Sequence, residues 1–177
     1  FLFKAPASYG DFPWVNDTGP DKYRRAVYTY RRRSTPYPAL SVFDAPPGDF
    51  SCVSRQRSNT PLQALTTLNE PLFMEAAQAL ALKTLREGGR SSEARMRYAF
   101  RRCVGRKPDA LEFKALLNLL YKQNSRFAKD PETAWKLASS VPDQKPDLPK
   151  GTTAGNLAAW TAVARVLLNM DETITKE

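Results

Sequence analysis

Two helix starts written one after the other, Thr60-Pro61-Leu62-Gln63-Ala64-Leu65 and Asn69-Glu70-Pro71-Leu72-Phe73-Met74-Glu75-Ala76-Ala77-Gln78-Ala79-Leu80, decide how this chain folds. Thr60 suits a cap, Pro61 suits the first helical position, and Gln63 sits where its side chain can reach back to the cap amide. Pro71 cannot lie deep inside a helix, so a second helix must open there. Asn69 is the natural cap for it. Leu72, Phe73, Ala76, Ala77 and Leu80 come next, and the segment to about Glu87 is apolar nearly all round, which predicts the central buried helix. Gly88 and Gly89 predict a left-handed stop.

Outward from this pair the helical signals continue downstream. Ser92 opens a helix with Met96, Ala99, Phe100, Cys103 and Val104 on one stripe and Arg95, Arg102 and Arg106 on another; Gly105 ends it. Asp109 and Glu112 are spaced as a capping box ahead of Phe113, Leu116, Leu117, Leu120 and Phe127. Asp130 and Pro131 start a short helix carrying Trp135 and Leu137. Residues 140–152 contain three prolines and read as a linker. A last helix, Thr153 to Met170, places Leu157, Trp160, Ala164, Leu167 and Leu168 on a face that packs back on the core.

Upstream the pattern is looser. Residues 1–20 read as an irregular strap whose Phe3, Tyr9, Phe12 and Trp14 pack on something larger. Tyr23, Ala26, Val27 and Tyr30 recur at helical spacing, which predicts a helix from about Asp21 to Arg33 with its tyrosines in the core. The same mixture of Tyr and Arg also fits a single-stranded nucleic-acid platform, although no nucleic-acid partner is expected. Pro36, Pro38, Pro46 and Pro47 make residues 34–58 a long loop, with one short strand at Ser51 to Arg55. The fold class is mainly α: a compact bundle of about five to six helices behind a long irregular N-terminal strap and loop. We read residues 1–177 as one domain or the C-terminal part of one, with residues 1–58 irregular, 59–139 the helical core, 140–152 the linker and 153–170 the returning helix.

Composition excludes several chemistries. The 177 residues contain no histidine, so this chain holds no Ser-His or Cys-His nucleophile pair, no imidazole base and no His-ligated zinc or haem. Its only cysteines, Cys52 and Cys103, lie far apart, which leaves neither a redox C-x-x-C nor a haem-attaching C-x-x-C-H. No metal site is expected. No apolar run approaches the roughly 18 residues of a membrane span. Phe1 to Phe12 carry no signal-peptide pattern, and the chain reads as an internal segment of a larger protein.

The net charge is +9, and it is uneven. Residues 21–57 hold eight Lys or Arg against three acids and residues 86–107 eight against two, whereas residues 108–177 balance nine against nine. Such a field either marks a surface for an anionic partner or simply keeps the protein soluble.

Several stretches taken together resemble a known family: Tyr23-Arg24-Arg25-Ala26-Val27-Tyr28-Thr29-Tyr30, Tyr37-Pro38, Phe43-Asp44-Ala45-Pro46, Arg57-Ser58-Asn59-Thr60-Pro61-Leu62-Gln63-Ala64-Leu65, Leu68-Asn69-Glu70-Pro71, and Ala158 to Asn169 with Asp171-Glu172 behind it. In that order they resemble the uncharacterised C-terminal domain of planctomycete cytochrome-c-like proteins. The resemblance implies an exported parent, in the periplasm, the cell envelope or secreted. It also implies a haem-binding segment upstream, outside this chain, with the parent's upstream domains as partners and no cofactor here. It carries no activity that can be assigned to residues.

Among polar candidates, Arg55, Arg57, Asn59 and Thr60 cluster at a helix start, where the dipole and guanidinium groups suit phosphate, sulfate or carboxylate. The simpler reading is that Asn59 and Thr60 cap the helix while the arginines meet carbonyls or acids such as Asp44. Cys52 and Cys103 either form a disulfide in an oxidising compartment or remain thiols, with Cys103 a small core hydrophobe. No catalytic residue is assigned. The expected function is a non-enzymatic helical interaction or scaffold module. The alternative is part of a composite envelope enzyme for an acidic or sulfated polysaccharide, with Arg55, Arg57 and Asp44 lining a shared cleft.

Overall fold

The computed structural model describes residues 17, 19–31, 36–139 and 145–175. The expected strap side chains Phe3, Tyr9, Phe12 and Trp14, with Arg32 and Arg33, lie outside them. The chain divides into two units, Phe1–Thr66 and Thr67–Glu177. Mainly α is the correct class: there is no strand among the described residues, and the elements are helices throughout.

In the first unit, short 3-10 turns at Gly19–Tyr23 and Ala26–Tyr28 replace the single α-helix expected over residues 21–33. Arg25 between them is extended, with φ −60° and ψ 148°. The tyrosines are not core residues: Tyr23, Val27 and Tyr30 are 61%, 77% and 70% exposed. A helix this short is marginal in water unless one face is buried, and these side chains remain mostly exposed. The expected strand at residues 51–55 is likewise irregular chain. Helix α1 (Pro38–Val42) interrupts the loop, opened by its own Pro38. Helix α2 (Pro61–Asn69) comes next, and its first residues close this unit.

The second unit holds α3 (Pro71–Glu87), α4 (Ser92–Val104), α5 (Ala110–Phe127), α6 (Pro131–Ala138), α7 (Ala154–Leu168) and the short α8 (Asp171–Ile174). Most starts arise from local side-chain chemistry. Ser91 accepts from the Ala94 amide, Asp130 from Thr133, and full capping boxes join Asp109 to Glu112 and Thr153 to Asn156. Asn69, expected to cap α3, instead ends α2; the cap position is Glu70, which is extended and makes no side-chain cap bond. Pro71 favours the start there, because it has no amide to satisfy and its φ is already helical. Gly89 takes the expected left-handed stop at φ 93°, whereas Gly88, expected to share it, stays right-handed at φ −76°; Gly105 ends α4 as expected, at φ 83°.

The centre of the bundle is α7, not α3. α3 buries only Ala77, Ala81, Thr84 and Leu85, whereas α7 buries Leu157, Ala158, Ala159, Trp160, Thr161, Val163, Ala164 and Leu167. α3, α4, α5 and α6 all pack on α7. Its alanines let neighbouring backbones approach closely on several sides. Gly155 extends this to the end of α5, where an added Cβ would lie 3.3 Å from the Phe127 carbonyl oxygen. Polar ties fix the arrangement: Asn156 donates to the Asn124 side chain at 3.1 Å, and Gln78 to the Leu137 carbonyl at 2.9 Å. α7 stops at Leu168 rather than Met170, and Asn169 and Met170 turn the chain into α8.

At the end of α4, Arg106 binds two carboxylates at once. It meets Glu112 at 2.6 and 2.8 Å and Glu172 at 2.6 and 2.9 Å, which joins α4, the first turn of α5 and α8. The guanidinium holds the Glu112 carboxyl at a pKa of about 2. The described part of the expected linker is tied down as well: Arg86 donates to the Asp147 carbonyl at 2.7 Å and Leu148 packs on the core.

Truncating a buried leucine of α7 should therefore cost more than truncating a leucine on the exposed side of α3. Leu167→Ala is expected to lower stability by about 3 kcal/mol, and Leu72→Ala, on the exposed side of α3, by under about 1 kcal/mol. Urea unfolding monitored by circular dichroism compares them, and equal losses would refute the central position of α7.

Candidate anion-binding site

The start of α2 is built around a carboxylate. α1 ends with Phe43 at its cap, and Asp44 then adopts φ 56°, left-handed backbone that side chains other than Asn and Asp seldom tolerate. The Asp44 amide donates to Ser41 O at 3.3 Å and the Ala45 amide to Leu40 O at 2.8 Å, the paired bonds of a Schellman stop. Pro46 prevents the helix from resuming. This turn aims the Asp44 carboxylate at α2.

One carboxylate oxygen, Oδ2, accepts from the Ser58 amide at 2.9 Å, the Ser58 hydroxyl at 2.7 Å and Gln63 Nε2 at 3.2 Å. Gln63 is the hub on the other side. Its Nε2 also donates to the Val42 carbonyl at 2.9 Å, its Oε1 accepts from the Thr60 amide at 3.0 Å, and its own amide donates to Thr60 Oγ1 at 3.3 Å. The capping box read from Thr60 and Gln63 is thus present. It does more than cap, because the same glutamine, almost fully buried, fastens the end of α1 to the start of α2.

Hydrogen bonding from Ser58 is the main reason that the Asp44 carboxyl titrates below its ordinary value, with Gln63 and the positive charge of Arg55 acting in the same direction. Of the four residues expected to hold an anion, Thr60 is half-buried and engaged in the box. Arg55, Arg57 and Asn59 are exposed. The structure brings Asp44, Ser58, Thr60 and Gln63 together, so the positive end of α2 already faces an internal carboxylate. Ser58 and Asp44 were the members that spacing alone could not join. The signal for them was Phe43-Asp44-Ala45-Pro46, a helix stop in which a residue that tolerates positive φ precedes a proline by two positions.

Elsewhere, among the described residues, no three His, Cys, Asp or Glu side chains group as metal ligands. No helix there is long and apolar enough to cross a membrane. Cys52 is exposed and its thiol donates to the Ser54 carbonyl, whereas Cys103 is buried on the core stripe of α4.

A family model described as PSD1, protein of unknown function (DUF1553), matches residues 4–120. The chain belongs to this family. No curated protein and no solved structure matches it. The PSD1 match includes the whole Asp44–Gln63 network and runs into α5, while α7, which organises the second unit, lies beyond it. Family membership assigns PSD1 proteins no activity, so the chemistry has to be read from the side chains.

Two measurements test this geometry. Because the folded-state pKa of Asp44 is depressed, its contribution to stability is present above the ordinary value of 3.8 and is lost as pH falls through the lower folded value. In a carboxyl-carbon NMR titration the Asp44 midpoint should lie below 3.8 and rise toward it in Ser58→Ala. An Asp44 midpoint that ignores Ser58→Ala would disprove the network. Separately, alkylation with peptide mapping should modify Cys52 in the native protein and Cys103 only after unfolding; a Cys52–Cys103 crosslink in non-reducing maps would overturn that outcome.

Proposed function

We propose that this chain is a non-enzymatic helical interaction module of a larger exported protein of the planctomycete cytochrome-c-like type, docking against other domains of its own parent. Any haem belongs to an upstream domain in this reading, and the cell envelope or periplasm is where the parent works. The observation that carries the proposal is the polarity of α2. Gln63, Thr66 and Thr67 are buried, while Leu62 and Leu65 are 47% and 56% exposed. Scattered apolar residues on a surface are ordinary, but a helix with its polar side inward and its leucines outward calls for an apolar partner.

The chemistry of the Asp44 cluster agrees with a structural role. Its carboxylate is hydrogen-bonded to Ser58 and Gln63 and is held ionised, which suits neither a general acid nor a base poised near neutrality. The composite-enzyme alternative, an acidic or sulfated polysaccharide bound by Arg55, Arg57 and Asp44, gains no support from that arrangement.

Isothermal titration of this chain against the separately purified upstream part of its parent is the direct test. Wild type should bind, and L62E/L65E should weaken binding at least about tenfold with an unchanged circular dichroism spectrum. Absence of binding by the wild type, or turnover of a polysaccharide by this chain alone, would end the proposal.

A further inference from the structure

Positive charge that the fold leaves unused collects on one face of α4. From Arg90 to Lys107 the chain has seven basic residues and a single acid, Glu93. Several of the seven are committed locally. Arg95 donates to the Gly89 and Leu85 carbonyls at 3.0 and 3.4 Å, Arg102 donates to the Tyr98 hydroxyl at 3.5 Å, and Arg106 grips Glu112 and Glu172. Arg97 and Arg101 are different. Both are exposed, and neither pairs with a carboxylate among the described residues, Glu93 included.

Their geometry is specific. Four residues apart on a helix, they project from one face about 6 Å apart along the axis. The Arg97 guanidinium lies over the Phe113 ring, 4.3 Å from its centroid, a cation–π contact that steadies the side chain without using up its N–H donors. Ala94, exposed on the same face, presents only a methyl group and lets another backbone come close.

We propose that Arg97 and Arg101, extended by Arg90, form a docking face for an acidic helix of a protein partner, with carboxylates one turn apart matching the two guanidinium groups. This deepens the interaction-module reading and rests on it, naming a charged face and the chemistry of its occupant. Charge complementarity is the first argument. The second is that the chain shows the mode of binding just past α4: Arg106 takes Glu172, in the first turn of a helix, through two hydrogen bonds of 2.6 and 2.9 Å. The third concerns nucleic acid. No large apolar side chain of α4 is strongly exposed for a base to stack on, and the Tyr98 hydroxyl is spent on Glu87 at 2.5 Å.

The test is fluorescence anisotropy with the full chain and R97Q/R101Q, using three labelled probes: a helical peptide with glutamates at i and i+4, a peptide of the same composition with proline-broken spacing, and a short duplex DNA. The helical peptide should bind best, weaken about tenfold or more in R97Q/R101Q, and weaken with added salt. Glu93→Gln should tighten it, which guards against a variant that merely misfolds. Equal binding by wild type and R97Q/R101Q, no binding, indifference to helical spacing, or tighter binding of duplex DNA would each overturn the proposal. Failure here is separable from failure of the module reading: if the upstream domains bind R97Q/R101Q as tightly as wild type, this face is wrong and that reading stands.

Discussion

Close approach at α7 is the constraint on which the second unit depends. A helix can be surrounded only if its side chains leave room on every side, and Ala158, Ala159 and Ala164 do so while Leu157, Trp160, Val163 and Leu167 fill the gaps between neighbours. Small residues contribute little burial energy themselves, about what their few apolar atoms allow. They act by letting α3, α4, α5 and α6 bring their own apolar faces together on one axis. Gly155 marks the limit of that approach, since even a methyl group there presses on the backbone at the end of α5.

Electrostatics then lock what packing has arranged. Arg106 is useful because one planar group can serve two carboxylates on separate segments, and Glu112 is useful because one carboxylate can both cap α5 and meet that arginine. A comparable economy holds the last residues of α2. The Arg165 guanidinium donates to the Leu68 carbonyl at 2.6 Å, and Thr67 donates to Asn169 at 2.5 Å, so side chains from α7 and its cap satisfy groups at the end of another helix. Arg165 Nε remains buried without a partner, a local cost that the neighbouring bond offsets.

What could be read from the sequence was local. Thr60 with Gln63, Asp109 with Glu112, and the left-handed Gly89 and Gly105 act within one turn of the chain, so spacing alone identifies them. The same method misplaced the centre of the bundle. Periodicity reports which side of a helix is apolar but not how many neighbours surround it; the plainer signal is charge, since α7 carries only Arg165 where α3 carries Glu75, Lys83, Arg86 and Glu87. It also made residues 21–33 a helix, because a stripe of Tyr23, Val27 and Tyr30 predicts a buried face only if something exists to bury it. Spacing brings Asp44 to the α2 start only as an acid for Arg55 and Arg57; its bonds to Ser58 and Gln63 depend on a left-handed turn fourteen residues before Ser58.

The two concentrations of positive charge now have different meanings. At the start of α2 the helix dipole, the Ser58 amide and Gln63 all converge on Asp44, so an external anion there would have to displace a carboxylate that the fold itself supplies. Displacement would leave Asp44 in a ring of donors already claimed, and a rival of the same charge gains nothing by proximity. Just past α4, Arg106 takes Glu112 and Glu172, whereas Arg97 lies over the Phe113 ring and pairs with no carboxylate among the described residues. Charge without an internal partner is worth little to stability at an exposed surface, yet it can still steer and select what binds. If α4 is the charged docking face proposed for it, the electrostatic part of recognition falls to Arg97 and Arg101, while α2 contributes the exposed Leu62 and Leu65.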